Sequence, residues 1–257
     1  MGASSVQIKG LSQQLKSSCA SCSLQQLCLP AGVSKDDLPK LDKIVQRQKP
    51  MVKGKTLYRA TDKFEKIYVV RTGSVKTYHQ GGEGDDQILG FHFPGDVLGL
   101  DALNAMQHGC TAECLEHTSV CEFPFENLEE VSEKLPALRH QFLKIISREM
   151  VNEHRHLLVL GRKNAQERLA VFLLSLSMRF SQRGYTGDVF NLSMSRYDLA
   201  NFLGLAVETV SRLFSRLQEE GVLKVERKHV EILDMEALAE AAGSDIDLEG
   251  NSKYFCP

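Results

Sequence analysis

Between Met51 and Phe125 apolar and polar residues alternate in short runs. Lys66-Ile67-Tyr68-Val69-Val70, Val75-Lys76-Thr77-Tyr78 and Gln87-Ile88-Leu89-Gly90-Phe91-His92-Phe93 read as strands, and Thr72-Gly73, Gly81-Gly82, Pro94-Gly95-Asp96 and Gly99 punctuate them as turns. Gly81-Gly82-Glu83-Gly84 reads as a hairpin tip. Many short strands divided by glycine predict a small β-roll or jelly roll over 51–135. From Pro136 the apolar period lengthens to that of a helix, and no glycine interrupts it before Gly161. At 1.5 Å per residue, that helix is about 37 Å long.

One face of this helix carries a seam. Leu143, Ile146, Met150, Leu157 and Leu160 recur at alternating spacings of three and four, with Glu153 filling the place between Met150 and Leu157. Such a seam pairs with a copy of itself across a two-fold axis, or else packs on its own domain. In the paired reading two Glu153 side chains crowd like charges and oppose association, which predicts a marginal dimer. His154 and His156 flank the seam and read as solvated positions.

Further on, Ser195-Arg196-Tyr197-Asp198 reads as a capping box that starts a helix through Leu199, Ala200, Phe202 and Leu203, broken at Gly204. A second helix follows, with Val207, Val210, Leu213, Phe214 and Leu217 on one face and Glu208, Ser211, Arg212 and Arg216 on the other. This is the spacing of a helix-turn-helix. Near the N-terminus of the second helix, Arg pairs bidentately with guanine, Glu accepts from the cytosine amino group and Ser serves either, although a solvated face with a Glu208–Arg212 pair accounts for the same residues. Val222-Leu223-Lys224-Val225 and His229-Val230-Glu231-Ile232-Leu233 then alternate like the hairpin of a wing.

Composition adds little until charge and cysteine are placed. The chain has 257 residues, 42% of them hydrophobic and 25% charged, which suggests two domains joined by an ordered element. Net charge is only -2, but 161–232 holds eleven Lys and Arg against eight acids, and 233–257 one Lys against six. A mildly basic module therefore precedes an acidic tail that reads as a solvated end. No apolar run is long enough to span a bilayer. No basic and then apolar leader opens the sequence, and Val6 stands where a myristoylation signal wants Ser or Thr, so a cytoplasmic location is expected.

Seven cysteines without a secretory signal argue for metal or redox chemistry rather than disulfides. Cys19, Cys22 and Cys28 form a Cys-x2-Cys-x5-Cys run, and Cys121 stands far along the chain, shortly before the long helix. Four thiolates suit an iron–sulfur cubane or a tetrahedral zinc ion. Cys110 and Cys114 read as small apolar residues, and Cys256 as a free thiol.

Taken together, Cys19-x2-Cys22-x5-Cys28, Thr118-Ser119-Val120-Cys121-Glu122-Phe123-Pro124-Phe125 and Leu203-Gly204-Leu205-Ala206-Val207-Glu208-Thr209-Val210-Ser211-Arg212 resemble the oxygen-sensing FNR-type regulators of the cyclic AMP receptor protein and FNR superfamily, close to the Anr branch. The likeness runs from Cys19 to about Gly243. It implies that Cys19, Cys22, Cys28 and Cys121 ligate one [4Fe-4S] cluster, and that Ser23 and Leu27 control oxygen access to it. It also implies that Glu208, Ser211 and Arg212 read a half-site beginning TTGAT in double-stranded DNA, that the chain is a homodimer while the cluster is intact, and that β-roll loops touch RNA polymerase. Two departures stand out: Ala206 lacks an N-cap hydroxyl, and the acidic seam residue is Glu where the best-known members have Asp.

Two rivals are weaker. A cyclic-nucleotide receptor presents Gly-Glu and then Arg-Ser or Arg-Thr to its ligand, whereas this chain has Gly99-Leu100-Asp101 and Gly109-Cys110-Thr111-Ala112, with no arginine for the phosphate. An enzyme lacks support, because there is no Walker loop, nucleophile elbow or His-Glu-x-x-His. The expected architecture is α+β: a cluster-binding segment and helix over 1–50, a cyclic-nucleotide-binding-like β-roll over 51–135, a dimerisation helix over 136–163, a winged helix-turn-helix over 164–243 and a flexible acidic tail over 244–257.

Overall fold

The computed structural model describes residues 18–82 and 86–243. The start of the N-terminal segment, Glu83 and Gly84 of the hairpin tip, the acidic tail and Cys256 lie outside them. A 3-10 turn at Cys19–Ser21 leads through further turns to helix α1 (Leu38–Ile44). Eight strands follow: β1 (Gln46–Arg47), β2 (Thr56–Tyr58), β3 (Lys66–Thr72), β4 (Val75–His79), β5 (Gln87–His92), β6 (Val97–Leu98), β7 (Thr111–Cys114) and β8 (Ser119–Pro124). They form two antiparallel sheets, ordered β1-β8-β3-β6 and β2-β7-β4-β5. The space between them is filled by Tyr58, Val70, Val75, Leu98, Cys110 and Ala112. Cys110 and Cys114 are both buried, as small apolar residues are.

Two features differ from the sequence expectation. The sheet begins before Met51, because β1 pairs with β8, placing Gln46 opposite Glu122 and Arg47 opposite Cys121. Two residues are too short a strand to show a period. Helix α2 (Phe125–Lys134) stands between the roll and the long helix, where no helix was expected. Leu135 breaks it with a non-helical backbone (φ -126°, ψ 88°), since the residue before a proline is kept out of the α region, and Pro136 opens α3 (Pro136–Arg162) at a position where its missing N–H is harmless. Helix α3 passes through Gly161 and ends at Arg162, one residue short of the expected 136–163. Leu138 and Ile145 of α3 are fully buried with α1, α2, Ile67, Val69 and Phe123, so the first half of the helix belongs to the core of the cysteine-bearing sheet.

The C-terminal part comprises α4 (Ala165–Gln182), β9 (Val189–Asn191), α5 (Arg196–Leu203), α6 (Val207–Glu219), β10 (Leu223–Glu226), β11 (His229–Ile232) and α7 (Met235–Ala242). The expected wing is present, joined by β9 into a sheet of order β10-β11-β9. One core runs from this part into the roll: Tyr78, Ile88, Phe91 and Phe93 pack with Phe172, Leu199, Leu203 and Val210. Arg168 ties the junction, donating to the carbonyls of Leu160, Lys163 and Leu203 at 2.8, 2.9 and 3.0 Å, and so joins α3, α4 and α5. Among the described residues no helix is long and apolar enough to cross a membrane.

Candidate metal cage and DNA-reading surface

Folding brings the four spaced cysteines to one place. Cys19, Cys22, Cys28 and Cys121 line a single small cavity together with Gln25, Pro30, Arg47, Arg71 and Phe123. The loop is pinned from α1, whose Asp42 carboxylate accepts the Cys19 amide at 2.9 Å and the Arg47 guanidinium at 2.6 Å. Arg47 also reaches the Cys19 Sγ at 3.6 Å. Cys121 comes from β8, opposite both Arg47 and Val69. Asp42, Arg47 and Arg71 carried no signal in the sequence, since each meets its cysteine through folding rather than through a local motif.

The electrostatics of the cavity disfavour free thiolates. Burial pushes the Cys19 thiol up to about 12, with the Asp42 carboxylate adding to the effect. Burial, and then Cys121, raise Cys28 well above the usual range. Burial also raises Cys121, against the pull of Arg47 and Arg71. A cationic centre among these sulfurs offsets both penalties and favours the thiolate. Among the described residues no three His, Cys, Asp or Glu side chains converge on one point closely enough to hold a single metal ion. A tetrahedral zinc ion needs every sulfur at about 2.3 Å from one centre. A cubane instead gives each thiolate an iron of its own. The donor set and the two arginines fit the cluster. Of the two expected neighbours, Ser23 is exposed and Leu27 half-buried, directed towards Gly95.

The reading surface is built locally. Ser195 Oγ accepts the Asp198 amide at 3.0 Å while Asp198 accepts the Ser195 amide at 2.9 Å, which closes the capping box of α5. Gly204 ends α5 at φ +62°, a left-handed conformation that suits glycine. Ala206 caps α6 without a side-chain hydrogen bond. Val210, Phe214 and Leu217 are buried, and the Arg196 guanidinium lies 3.4 Å from the Phe214 ring centre. On the opposite face Glu208, Ser211 and Arg212 are exposed side by side in the first two turns. Ser211 Oγ donates to the Val207 carbonyl at 3.0 Å. Arg216 is held by Glu220 at 2.8 Å.

The seam splits into two rows. Leu143, Met150 and Leu157 are 57–64% exposed, an apolar row repeating every seven residues, whereas Ile146 and Leu160 are half-buried and Glu153 is exposed. His156 departs from its expected solvated place: its ring stacks on Phe202 at 4.2 Å, because α5 packs across α3 at that level, and burial lowers its pKa. Where a cyclic-nucleotide site would lie, Asp101 accepts the Gly109 amide at 2.9 Å and the Cys110 thiol at 3.6 Å.

Comparison with known proteins agrees with the order of a β-roll followed by a helix-turn-helix. A family model described as a Crp-like helix-turn-helix domain matches residues 167–241, and one described as a cyclic nucleotide-binding domain matches 48–134. The chain is 46% identical over 234 residues to the transcriptional activator protein FnrA of Stutzerimonas stutzeri, covering 91% of this chain and 96% of that one. It is 44% identical over 225 residues to the fumarate and nitrate reduction regulatory protein of Escherichia coli strain K12, covering 88% and 90%. The solved structure of FixK2 from Bradyrhizobium japonicum is similar at a TM-score of 0.72 and 30% identity, covering 79% of this chain and 100% of that one.

Proposed function

The chain belongs to the FNR/Anr group of the CRP/FNR superfamily of transcription regulators, and from that premise we propose that it is an oxygen-responsive regulator whose sensor is a [4Fe-4S] cluster held by Cys19, Cys22, Cys28 and Cys121. That it is a DNA-binding transcription regulator, and not an enzyme, follows from the family itself. The observation that carries the finer reading is the convergence of three closely spaced thiols and one distant thiol on one cavity beside the helix that bears an exposed apolar row.

The residues divide the work. When bound, the cluster supplies an oxygen-labile link between the Cys19–Cys28 loop and β8. Arg47 and Arg71 offset part of its charge. Gln141 of α3 donates to the Cys28 carbonyl at 3.5 Å, so the position of the loop bears on the long helix. Leu143, Ile146, Met150, Leu157 and Leu160 form the surface on which two chains meet, while Glu153 keeps that contact marginal. Superfamily members act as dimers. In this chain we assign the dimer to the anaerobic state and the monomer to air. A balance of a few kcal/mol moves such populations appreciably. Paired chains set two α6 helices about 34 Å apart on a palindrome of TTGAT half-sites, with Glu208, Ser211 and Arg212 on the bases. Ser23 and Leu27 govern oxygen access. Exposed roll loops contact RNA polymerase, no cyclic nucleotide is required, and the protein works in the cytoplasm on genes of anaerobic metabolism.

The test is titration of a TTGAT palindrome with protein prepared without oxygen, repeated after exposure to air. Binding that falls together with the dimer fraction in air supports the reading. Equal binding in both states refutes oxygen control while leaving a DNA-binding protein.

A further inference from the structure

The turn Phe93–Asp96 lies between the cage and the DNA-reading part and is gripped from both sides. From the C-terminal end of α4 and the residue that caps it, Arg183 Nη2 donates to Asp96 at 2.8 Å, Arg179 Nη2 donates to the other carboxylate oxygen, and Arg183 Nε donates to the Pro94 carbonyl at 2.6 Å. Arg179 also reaches the Phe91 carbonyl at 3.1 Å and stands 4.7 Å from the Phe93 ring centre. Asp96 in turn accepts the Phe93 amide at 2.8 Å, so one carboxylate both folds the turn and holds α4. The Asp96 side chain is 15% exposed and that of Arg183 only 5%.

The cage reaches the same turn by two routes. Leu27, which precedes Cys28, packs on Gly95 so closely that a Cβ there would lie 3.0 Å from the Leu27 Cβ, and Gly95 itself adopts φ +97°. On the other route, Val70 exchanges hydrogen bonds with the turn, accepting the Gly95 amide at 2.8 Å and donating to the Asp96 carbonyl at 3.0 Å. Its neighbour Val69 sits opposite Cys121 in the sheet. The Cys19–Cys28 loop therefore touches the turn itself, and the strand that bears Cys121 reaches it through its neighbour β3, while the far side of the turn is held by the helix that supports α5 and α6.

We propose that Asp96 is a positioning residue for DNA reading: through the Phe93–Asp96 turn it fixes α4 to the roll, and through Leu27 and Val70 the cysteine cage bears directly on the reading head of its own chain. This rests on the functional reading above, and it adds a route from cage to α6 that is separate from pairing of the long helices. Removing the charge of a largely desolvated carboxylate leaves two guanidiniums uncompensated, which weakens the joint without touching the cysteines, the seam or the bases.

Two readouts test it on the full-length chain with Asp96→Asn. The first is hydrogen exchange on metal-free protein. The amide of Ile88, which donates to Asn201 across the joint at 2.7 Å, and the amides of Phe93, Gly95 and Asp96 should exchange at least tenfold faster. The second is anaerobic binding to palindromes of normal spacing and with one added base pair. Affinity for the normal site should fall about tenfold and discrimination against the spaced site should shrink, with the dimer fraction and iron content unchanged and with Asp96→Glu restoring most of the loss. Leu27→Ala in metal-free protein should speed exchange in 93–96 as well as near the cysteines. Unchanged exchange and unchanged spacing preference in Asp96→Asn would overturn the proposal, and acceleration confined to 22–28 in Leu27→Ala would remove the cage from it. If Asp96→Asn does not fold, Arg179→Gln, whose side chain is 32% exposed, reports on the same joint. Faster exchange in a chain that never prefers the palindrome sinks the functional reading and leaves the joint standing.

Discussion

The DNA-reading head and the cysteine cage are built on opposite principles. In the head, the groups proposed to face DNA are a side effect of a finished fold: Val210, Phe214 and Leu217 bury one face of α6, and Glu208, Ser211 and Arg212 are left on the other. In the cage, folding gathers groups that resist being together, since burial and neighbouring charge push the Cys19, Cys28 and Cys121 thiols up. The reader is completed by the chain alone, whereas in the proposed reading the thiolates of the cage become favourable with a cationic centre among them. In that reading the binding surface stays intact whether the cage is filled or empty.

The sharpest way to break this comparison is through stability. Phe214→Ala should destabilise the protein by about 3–5 kcal/mol in urea unfolding, as loss of a large buried aromatic does. Cys28→Ser in metal-free protein should change it by less than about 1 kcal/mol, the scale of substitutions that leave no large cavity. Equal losses would mean that the cage is as much a part of the core as α6. Next in size, Arg212→Ala should weaken specific binding by roughly 1–3 kcal/mol and relax preference at one base pair. A uniform loss over all sequences would turn Arg212 into a phosphate contact and remove it from base reading.

The helix between the two regions gives a smaller effect. Glu153→Ala should tighten the dimer about tenfold in air, the equivalent of roughly 1.4 kcal/mol, as measured by sedimentation. A variant that stays monomeric would take Glu153 out of the seam. Smallest is Ser195→Ala, which removes one half of the α5 capping box and should lower stability by about 1 kcal/mol with iron content unchanged. A loss of iron in that variant would show that the head and the cage are not separately built.

The same contrast explains what could be read from the sequence. The α5–α6 unit was legible because its signals lie within a few residues: Ser195 and Asp198 for the start, Gly204 for the break, and a period of apolar positions for the buried face. Strands β3, β4 and β5 were legible for the same reason. The four cysteines were legible as residue types, through their spacing and the family resemblance, but their surroundings were not. Asp42 lies 23 residues from the Cys19 amide it accepts, and Arg179 and Arg183 lie 83 and 87 from Asp96. Pairings at that distance leave no periodicity. His156 was misplaced for the same reason, because Phe202, its stacking partner, arrives from another helix. Strands β1 and β9 were too short to show alternation, and α2 went unseen beside the strand pattern that runs into it at Phe125.

The central claim is that the cage of Cys19, Cys22, Cys28 and Cys121 holds an oxygen-labile iron–sulfur cluster, and iron with acid-labile sulfide, counted on protein prepared without oxygen and again after air, tests it most directly. The account predicts close to four iron and four sulfide per chain, both lost in air, on the stoichiometry of one cubane held by four thiolates. Zinc without sulfide, or neither metal nor sulfide, would contradict it and leave a DNA-binding protein whose signal enters elsewhere.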